Sequence, residues 1–410
     1  MDALPGLDQA ARGRLQPSRH FMAAQIKRCR WLPCAAVDLS SEDQAAEGVP
    51  AVLALWSGDA QSHMLAVGDI VRQPATGEML GFTDKLTVPH ASGFTGLQAA
   101  RLGDSVVVAA AGADGRVSIL AMQLPNHPGA TSADLQLPEP RADGGCLLAM
   151  PWAHKGPAAS VDINAVTRSV LSVGQDGAIY IAPVEAAQQQ QQQAREPFRR
   201  GAGFAGYSQG RWVDSNTFVT AGLIGGLQLW DARRGGAAPA ASTPRAWGHA
   251  GCGAADAAAG AARQLLCLDV HRSRPNLCAS GGSGGAVALW DLRMASAPVS
   301  APGLGGGGDV WEVQFDPLEA LGGGDAAGLP PLLFCTAGGE LCRTAGGGKA
   351  AQWRGSGGVG EQAGGGGGLA AEVLLQEACS INSFDADPSR GDLMAVTDFE
   401  GLLFAARMQS

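Results

Sequence analysis

The stretch GGSGGAVALWDLR, Gly281 to Arg293, decides how the chain is read. A glycine cluster precedes a short apolar alternation, Trp290-Asp291 and a basic residue. Glycines can cradle phosphate and an aspartate can act as an acid or base. The same residues can also make a tight turn followed by a packed strand. The stretch has relatives along the chain: AGADGRVSIL (111–120), VGQDGAIYI (173–181), AGLIGGLQLWDAR (221–233), TAGGELCRT (336–344) and TDFEGLLFAAR (397–407). Each reads as a strand, a glycine-containing turn and a second alternating strand, which is the pattern of a hairpin whose turn needs positive φ. The aligned turn glycines are Gly115, Gly177, Gly225, Gly285, Gly339 and Gly401. Their recurrence fits a repeat of about 40–45 residues with variable loops.

A weaker copy, AVLALWSGDAQSHMLAV (51–67), lacks the turn glycine and brings the count to seven units. Further strands precede the hairpins at SVDINAVT, LCLDVHRSRP, VWEVQFDP and SINSFDADP. A unit of three or four strands cannot bury both faces alone, but units stacked around an axis can. The expectation is an all-β chain folded as a single seven-bladed β-propeller.

Composition agrees. Apolar residues make up 46% of the 410, enough for a large core, and the 60 glycines suit many tight turns. The formal net charge of −9 argues against a dominant grip on nucleic acid. Nine cysteines form no C-x-x-C pair and no Asn lies in an N-x-[ST] sequon, so the cysteines are read as reduced core thiols of an intracellular protein. No run approaches 18 apolar residues, so no membrane insertion is expected. Residues 1–17 are expected to be a disordered lead-in, with the propeller over 18–410; the basic start leaves a transit peptide as the alternative. The Gln-rich segment 188–200, the Gly-rich segment 354–370 and the Ala/Gly-rich stretch near Gly251 are expected to be flexible surface loops.

Several chemical motifs fail on context. GAGFAG (201–206) matches G-x-G-x-x-G, but a strand pattern follows it where a dinucleotide site needs a helix. AGGGKA (345–350) lacks the hydroxyl after Lys349 that a P-loop requires. The seven histidines form no H-E-x-x-H pair, and a triad assembled between blades is left open because triads are defined by geometry. No catalytic residue, cofactor site or metal site is assigned.

The hairpins resemble the WD-repeat family. Two end in the signature dipeptide, Trp230-Asp231 and Trp290-Asp291, and Gly248-His249 precedes the second. The resemblance implies a buried His–Ser–Asp–Trp hydrogen-bond set in each blade, of which Ser280 and Trp290 match two positions, with His249 read as a blade-packing residue. Ser283-Gly284 replaces the turn Asp there, whereas Asp114 and Asp176 keep it in units without Trp-Asp. A narrower resemblance runs through RCRWLP (28–33), VLSVGQDGAIYI (170–181), LCLDVHRSRPNLCASGG (266–282), VWEVQFDP (310–317) and SINSFDADPSRGDLMAVTDFEGLLFAAR (380–407). This wording is similar to the small WD-repeat nucleoporins of the Y-shaped nuclear pore scaffold. It implies a non-enzymatic scaffold or adaptor at the nuclear envelope, a monomeric propeller within a hetero-oligomer of other Y-complex subunits. That role supports nucleocytoplasmic transport and, in mitosis, kinetochore attachment. It also implies that HFMAAQIKRCRW (20–31) closes the ring by joining the C-terminal hairpin. The competing reading is a substrate receptor of a cullin-type ubiquitin ligase, which W-D-x-R at Arg233 and Arg293 resembles. Phe198 and Trp353 are further contact candidates.

Overall fold

The computed structural model describes residues 15, 17–34, 48–72, 79–124, 134–140, 145–188, 197–199, 206–223, 226–235, 238–243, 264–294, 298, 308–318, 329–344, 371–388, 391–398 and 401–405. Seven small antiparallel sheets form the blades of a propeller. Their innermost strands, blades 1 to 7 in order, are Gln25–Trp31, Phe94–Leu102, Ala158–Asn164, Tyr207–Trp212, Leu265–Val270, Val310–Phe315 and Ile381–Ala386. Each packs against the next, and that of blade 7 against that of blade 1, so the ring closes. Five sheets have four strands; blades 3 and 5 have three among the described residues.

Strands squeezed between two neighbouring blades are buried on both faces. They read as near-continuous apolar runs, such as VVVAAA in Val106–Ala111 and VALW in Val287–Trp290. The core therefore lies in slabs between blades. One slab holds Val219, Ala221 and Leu227 of blade 4 against Leu265, Leu268 and Trp290 of blade 5. Each fully buried large aliphatic or Phe side chain stabilises the ring by about 1.5–3 kcal/mol.

The turns answer the opening question. Gly115, Gly177, Gly285 and Gly339 take φ of 86°, 75°, 75° and 82° between the second and third strands of their blades. In blade 4 the positive φ falls on Gly226, while Gly225 lies outside the described residues. Gly401 is a correction: it opens the strand Gly401–Ala405 and pairs with Phe21, so it is a strand residue. In blade 1, where no turn glycine stands, Gln61 takes φ 48° and its side-chain amide donates to the Gly58 carbonyl at 2.6 Å. Gly281 serves packing, because a Cβ there would overlap Cys267 and Val310 of the blade interface.

Ring closure also differs from the expectation. Only Ser18–Phe21 joins the last sheet, running antiparallel to Gly401–Ala405. Gln25–Trp31 belongs to blade 1, paired with Val49–Ser57. Its Ile26, Cys29 and Trp31 are buried in one cluster with Met394, Val396 and Phe404 of blade 7, a burial that an outermost strand cannot provide. Most of the expected lead-in, and residues 354–370, lie outside the described residues; Leu15 donates its N–H to the Leu374 carbonyl. Within the Gln-rich segment, Arg199 bridges Ile179 at the outer edge of blade 3.

All seven innermost strands carry a bulge at the same register position, Ile26/Arg28 in blade 1 through Ile381/Ser383 in blade 7. A bulge re-aims the side chains beyond it. Here it sets which residues face the central channel.

Candidate functional site

Two kinds of polar construction occupy this propeller: locks inside blades and a charged lining along the axis. In blade 5, Trp290 Nε1 donates to Ser280 Oγ at 2.9 Å, both residues fully buried. In blade 4, Trp230 Nε1 donates to Thr220 Oγ1 at 3.0 Å, with Phe218 stacked on the indole and the Arg199 guanidinium 4.8 Å from its centroid. Phe198 packs edge-on against Phe218 and Trp230, so it is a core contact rather than a free surface ring. Asp231 and Asp291 take no part in these locks. Each holds the arginine two residues on, Asp231–Arg233 at 3.0 Å and Asp291–Arg293 at 2.6 Å. The arginine hydrogen bonds hold the Asp231 carboxyl down to about 2 and Asp291 below its ordinary range. Both arginine side chains stay largely exposed, at 68% and 69%. His249 and Trp353 lie outside the described residues.

The fullest lock is one the sequence did not assign. His154 lies in the link between blades 2 and 3, its Nδ1 3.1 Å from Asp176 Oδ1 and its Nε2 2.8 Å from Ser172 Oγ. Backbone N–H groups of Lys155 and Ala178 also donate to Asp176. Burial pushes the His154 pKa below its ordinary value despite Asp176. The ring is therefore neutral at neutral pH, donating from Nδ1 and accepting from the serine. Burial alone pushes Asp176 up, but those N–H donors and His154 outweigh it and hold the carboxyl low. The connectivity is that of a nucleophile, base and orienting acid. Ser172 is wholly buried mid-strand, however, so no substrate carbonyl reaches its oxygen. The tryptophan position of this blade is Ala182, and Trp152 stacks on Tyr180 nearby. Blade 2 has a reduced form, with Ser92 Oγ donating to Asp114 at 2.9 Å.

Counting from the bulges, one position of each innermost strand lies at the same level of the channel: Arg30, Gln98, Asp162, Arg211, Asp269, Gln314 and Asp385. Three of the carboxylates cap the next blade. Asp162 accepts from Trp212 N at 2.8 Å, Asp269 from Phe315 N at 2.9 Å and Asp385 from Trp31 N at 2.8 Å. Arg211 pairs with Asp162 at 3.2 Å and also donates to the Leu268 carbonyl. Arg30 reaches Gln98 of blade 2, the Phe384 carbonyl of blade 7 and, in a buried ion pair, Glu312 of blade 6. Glu312 also accepts from Ser383 Oγ at 2.8 Å. Burial raises Glu312, but Arg30 and Arg28 overcome it and hold the carboxyl below its ordinary range. Burial pushes Asp385 up to about 6, with Arg30 opposing. At the end where the innermost strands finish, the channel opens into a cavity of 1270 Å³.

Among the described residues no group of His, Cys, Asp and Glu is placed to hold a metal, and no helix is long and apolar enough to cross a membrane. A strand, Tyr207–Trp212, follows the G-x-G-x-x-G match, so the helix a dinucleotide site needs is missing there. The described cysteines are free thiols, most of them buried.

Seven hairpin-built blades, a ring closed by the first strand and Trp–hydroxyl locks define a WD-repeat β-propeller. Comparison with known proteins makes it nucleoporin-like. It is 29% identical to the nuclear pore complex protein NUP43 of Arabidopsis thaliana over 58% of this chain and 59% of that protein. It is 23% identical to nucleoporin Nup43 of Mus musculus over 72% of this chain and 70% of that one. The chain thus spans less than two thirds of the Arabidopsis relative. A shorter match, 32% over 59 residues, is to DNA damage-binding protein 2 of Gallus gallus. No protein-family model matches the chain.

Proposed function

We propose that this chain is a non-enzymatic scaffold subunit of the outer-ring, Y-shaped complex of the nuclear pore, with residues 18–410 as its single propeller domain. In this reading it is a monomeric propeller among other Y-complex subunits, supports nucleocytoplasmic transport through protein–protein contacts and resides at the nuclear envelope. The observation that carries the reading is the similarity to Nup43 proteins of a plant and a mammal, extending over most of the chain in the mouse case. The polar networks are consistent with a frame: His154, Ser172, Trp290 and Ser280 spend their hydrogen bonds on one another inside blades.

Tagging the chain in its own cells, imaging it and identifying what co-purifies tests this. A punctate nuclear rim and Y-complex subunits in the eluate support it; a diffuse signal without them overturns it. Imaging through mitosis reports on kinetochore attachment in the same cells. The second reading, a cullin-ligase receptor, draws on the exposed Arg233 and Arg293 and the short match to a DNA damage-binding protein. It requires that Arg233→Glu with Arg293→Glu abolish capture of a cullin adaptor. Unchanged capture, or none by the wild type, removes it.

A further inference from the structure

The ring is closed at two depths. Near the axis, Trp31 N–H donates to Asp385 Oδ2 at 2.8 Å, Arg28 donates to the Asn382 carbonyl at 3.1 Å, and the cluster of Ile26, Cys29 and Trp31 packs on blade 7. At the rim, Leu15 and residues 17–21 cross three blades. Leu15 donates its N–H to the Leu374 carbonyl of blade 6 at 3.0 Å. Leu374 is the bulged residue of Ala371–Gln376, standing between the pairs Leu341–Leu375 and Cys342–Val373. Arg19 pairs with Glu377, just beyond that strand, at 2.8 Å. Ser18–Phe21 adds the outermost strand of blade 7. The His20 ring lies against blade 1, where a Cβ on Gly81 would come within 2.9 Å of it.

The two closures differ in strength. Ile26, Cys29 and Trp31 at the axis are buried. At the rim the Arg19 side chain is 51% exposed and Phe21 71% exposed. An ion pair so open to water contributes little, and local opening starts where few contacts are buried. None of the axial contacts named above involves the rim segment, so its release leaves them in place. The converse does not hold: its anchors stand on three blades, and loosening the ring loosens them all. Release uncovers the outer edge of Gly401–Ala405, a wholly apolar strand, with the Leu374 carbonyl and the Glu377 carboxylate beside it.

We propose that the segment from Leu15 to Phe21 is an exchangeable clasp: it leaves the rim while the ring stays closed, and the vacated edge takes an extended segment of a partner protein that carries a leucine four residues before an arginine. The chemistry of the visitor follows from that of the resident. Its backbone pairs with Gly401–Ala405 by strand addition. Its leucine packs where Leu15 does, on the cluster that includes Leu341 and Leu375 of blade 6 and Leu403 of blade 7. Its arginine meets Glu377. Exchange of this kind goes beyond the scaffold reading and holds whichever assembly the propeller joins.

The probe is the peptide LQPSRHF, the sequence of the resident clasp, acetylated at its N-terminus and labelled with a fluorophore at its C-terminus. Its binding to the purified full chain is read by fluorescence anisotropy. In the wild type the tethered segment competes at an effective concentration of about millimolar order, so the peptide binds weakly. Leu15→Ser/Arg19→Ser weakens the resident and leaves the edge and Glu377 intact, and is expected to bind the peptide about tenfold or more tightly than wild type. The same peptide with Arg19→Glu is expected to lose that gain. Equal affinity for both chains, no binding to the variant, or equal binding of the charge-reversed peptide overturns the proposal. If the variant fails to fold, hydrogen exchange of the wild-type chain decides. The slowest amide of Ser18–Phe21 is expected to exchange about a hundredfold or more faster than the slowest of Gln25–Trp31. Coincident rates mean that clasp and ring open together, which also overturns it.

Discussion

Replacing Glu312 by Gln removes the anion that holds the Arg30 guanidinium inside the ring. The two side chains are 8% and 7% exposed, so the variant leaves a buried cation without its counter-ion. Breaking a buried pair from one side costs about 3–5 kcal/mol. Glu312 also accepts from Ser383 Oγ and Phe384 N, both on its Oε2. Glutamine keeps one acceptor oxygen, which in the Oε2 place still serves both, so the bond lost is the one to Arg30 that the figure for the pair already counts. Against a typical total stability of about 5–15 kcal/mol, that loss is large. It also has a location: Arg30 is on blade 1 and Glu312 on blade 6, so their bond crosses blade 7, where the two ends of the chain meet. The assay is equilibrium unfolding in urea followed by tryptophan fluorescence, on Glu312→Gln, Arg30→Met and the double variant Arg30→Met/Glu312→Met. The single variants are expected to lose about 3–5 kcal/mol each, and the double variant to recover more than half of the summed loss, since an apolar replacement of a buried pair is often tolerated. Hydrogen exchange of Glu312→Gln should quicken first in Ser18–Phe21 and Gly401–Ala405. Losses under about 1 kcal/mol, or strict additivity in the double variant, refute the clamp.

Trp290→Phe leaves the buried Ser280 hydroxyl without its donor and opens space beside it, and should cost about 2–4 kcal/mol in the same assay. Asp291→Asn weakens the ion pair to the exposed Arg293 side chain but keeps an acceptor for the Arg293 backbone N–H, so it should leave the midpoint where it is. His154 has a folded pKa below its unfolded value of 6.5, so its contribution is complete above pH 6.5 and is lost as pH falls through the lowered value. The stability difference between wild type and His154→Asn should therefore shrink on acidification, and a constant difference from pH 7 to 5 speaks against a buried neutral imidazole. Asp385 has the opposite sign: its carboxyl is raised from 3.8 to about 6, so its ionisation opposes folding progressively across that window and fully above it. Asp385→Asn should gain on wild type as pH rises from 4 to 7, by up to about 3 kcal/mol for a shift of that size; a gain independent of pH contradicts it.

What the sequence made legible follows the range of the physics. Turn glycines are local, because a positive φ is required within a few residues of the strand that follows. Gly115, Gly177, Gly285 and Gly339 could be aligned by eye for that reason. Gly401 was misplaced by the same rule, because its partner, Phe21, stands at the other end of the chain. The lock at Trp290 and Ser280 was visible since it spans one hairpin. The lock at His154 was not: its blade has Ala182 at the tryptophan position, so the signature dipeptide that flags such a unit is missing. One signal was available. His154 precedes Asp176 by 22 residues, the same separation as Ser92 from Asp114.

The channel lining was out of reach from sequence because its members are set by bulge register and meet across as many as 354 residues. Its arrangement nonetheless has a simple cause. An aspartate on one innermost strand caps the backbone of the next, joining blades 3 and 4, 5 and 6, and 7 and 1. Seven is odd, so pairing of this kind must leave one blade over. That blade is blade 2, whose residue at this level is the neutral Gln98. A charge there would have no partner in the scheme, whereas an amide accepts a hydrogen bond without needing a counter-ion. Arg30 supplies it, its Nε 3.3 Å from Gln98 Oε1 while its other nitrogens serve blades 6 and 7. The long arginine thus sits at the junction where the alternation breaks and the ring closes. A shorter cation at position 30 cannot reach both sides, so Arg30→Lys should keep the charge yet lose the bond to Gln98 or the one to Glu312. Its unfolding midpoint should then fall between those of wild type and Arg30→Met; a midpoint equal to wild type means that charge alone, and not reach, closes the ring.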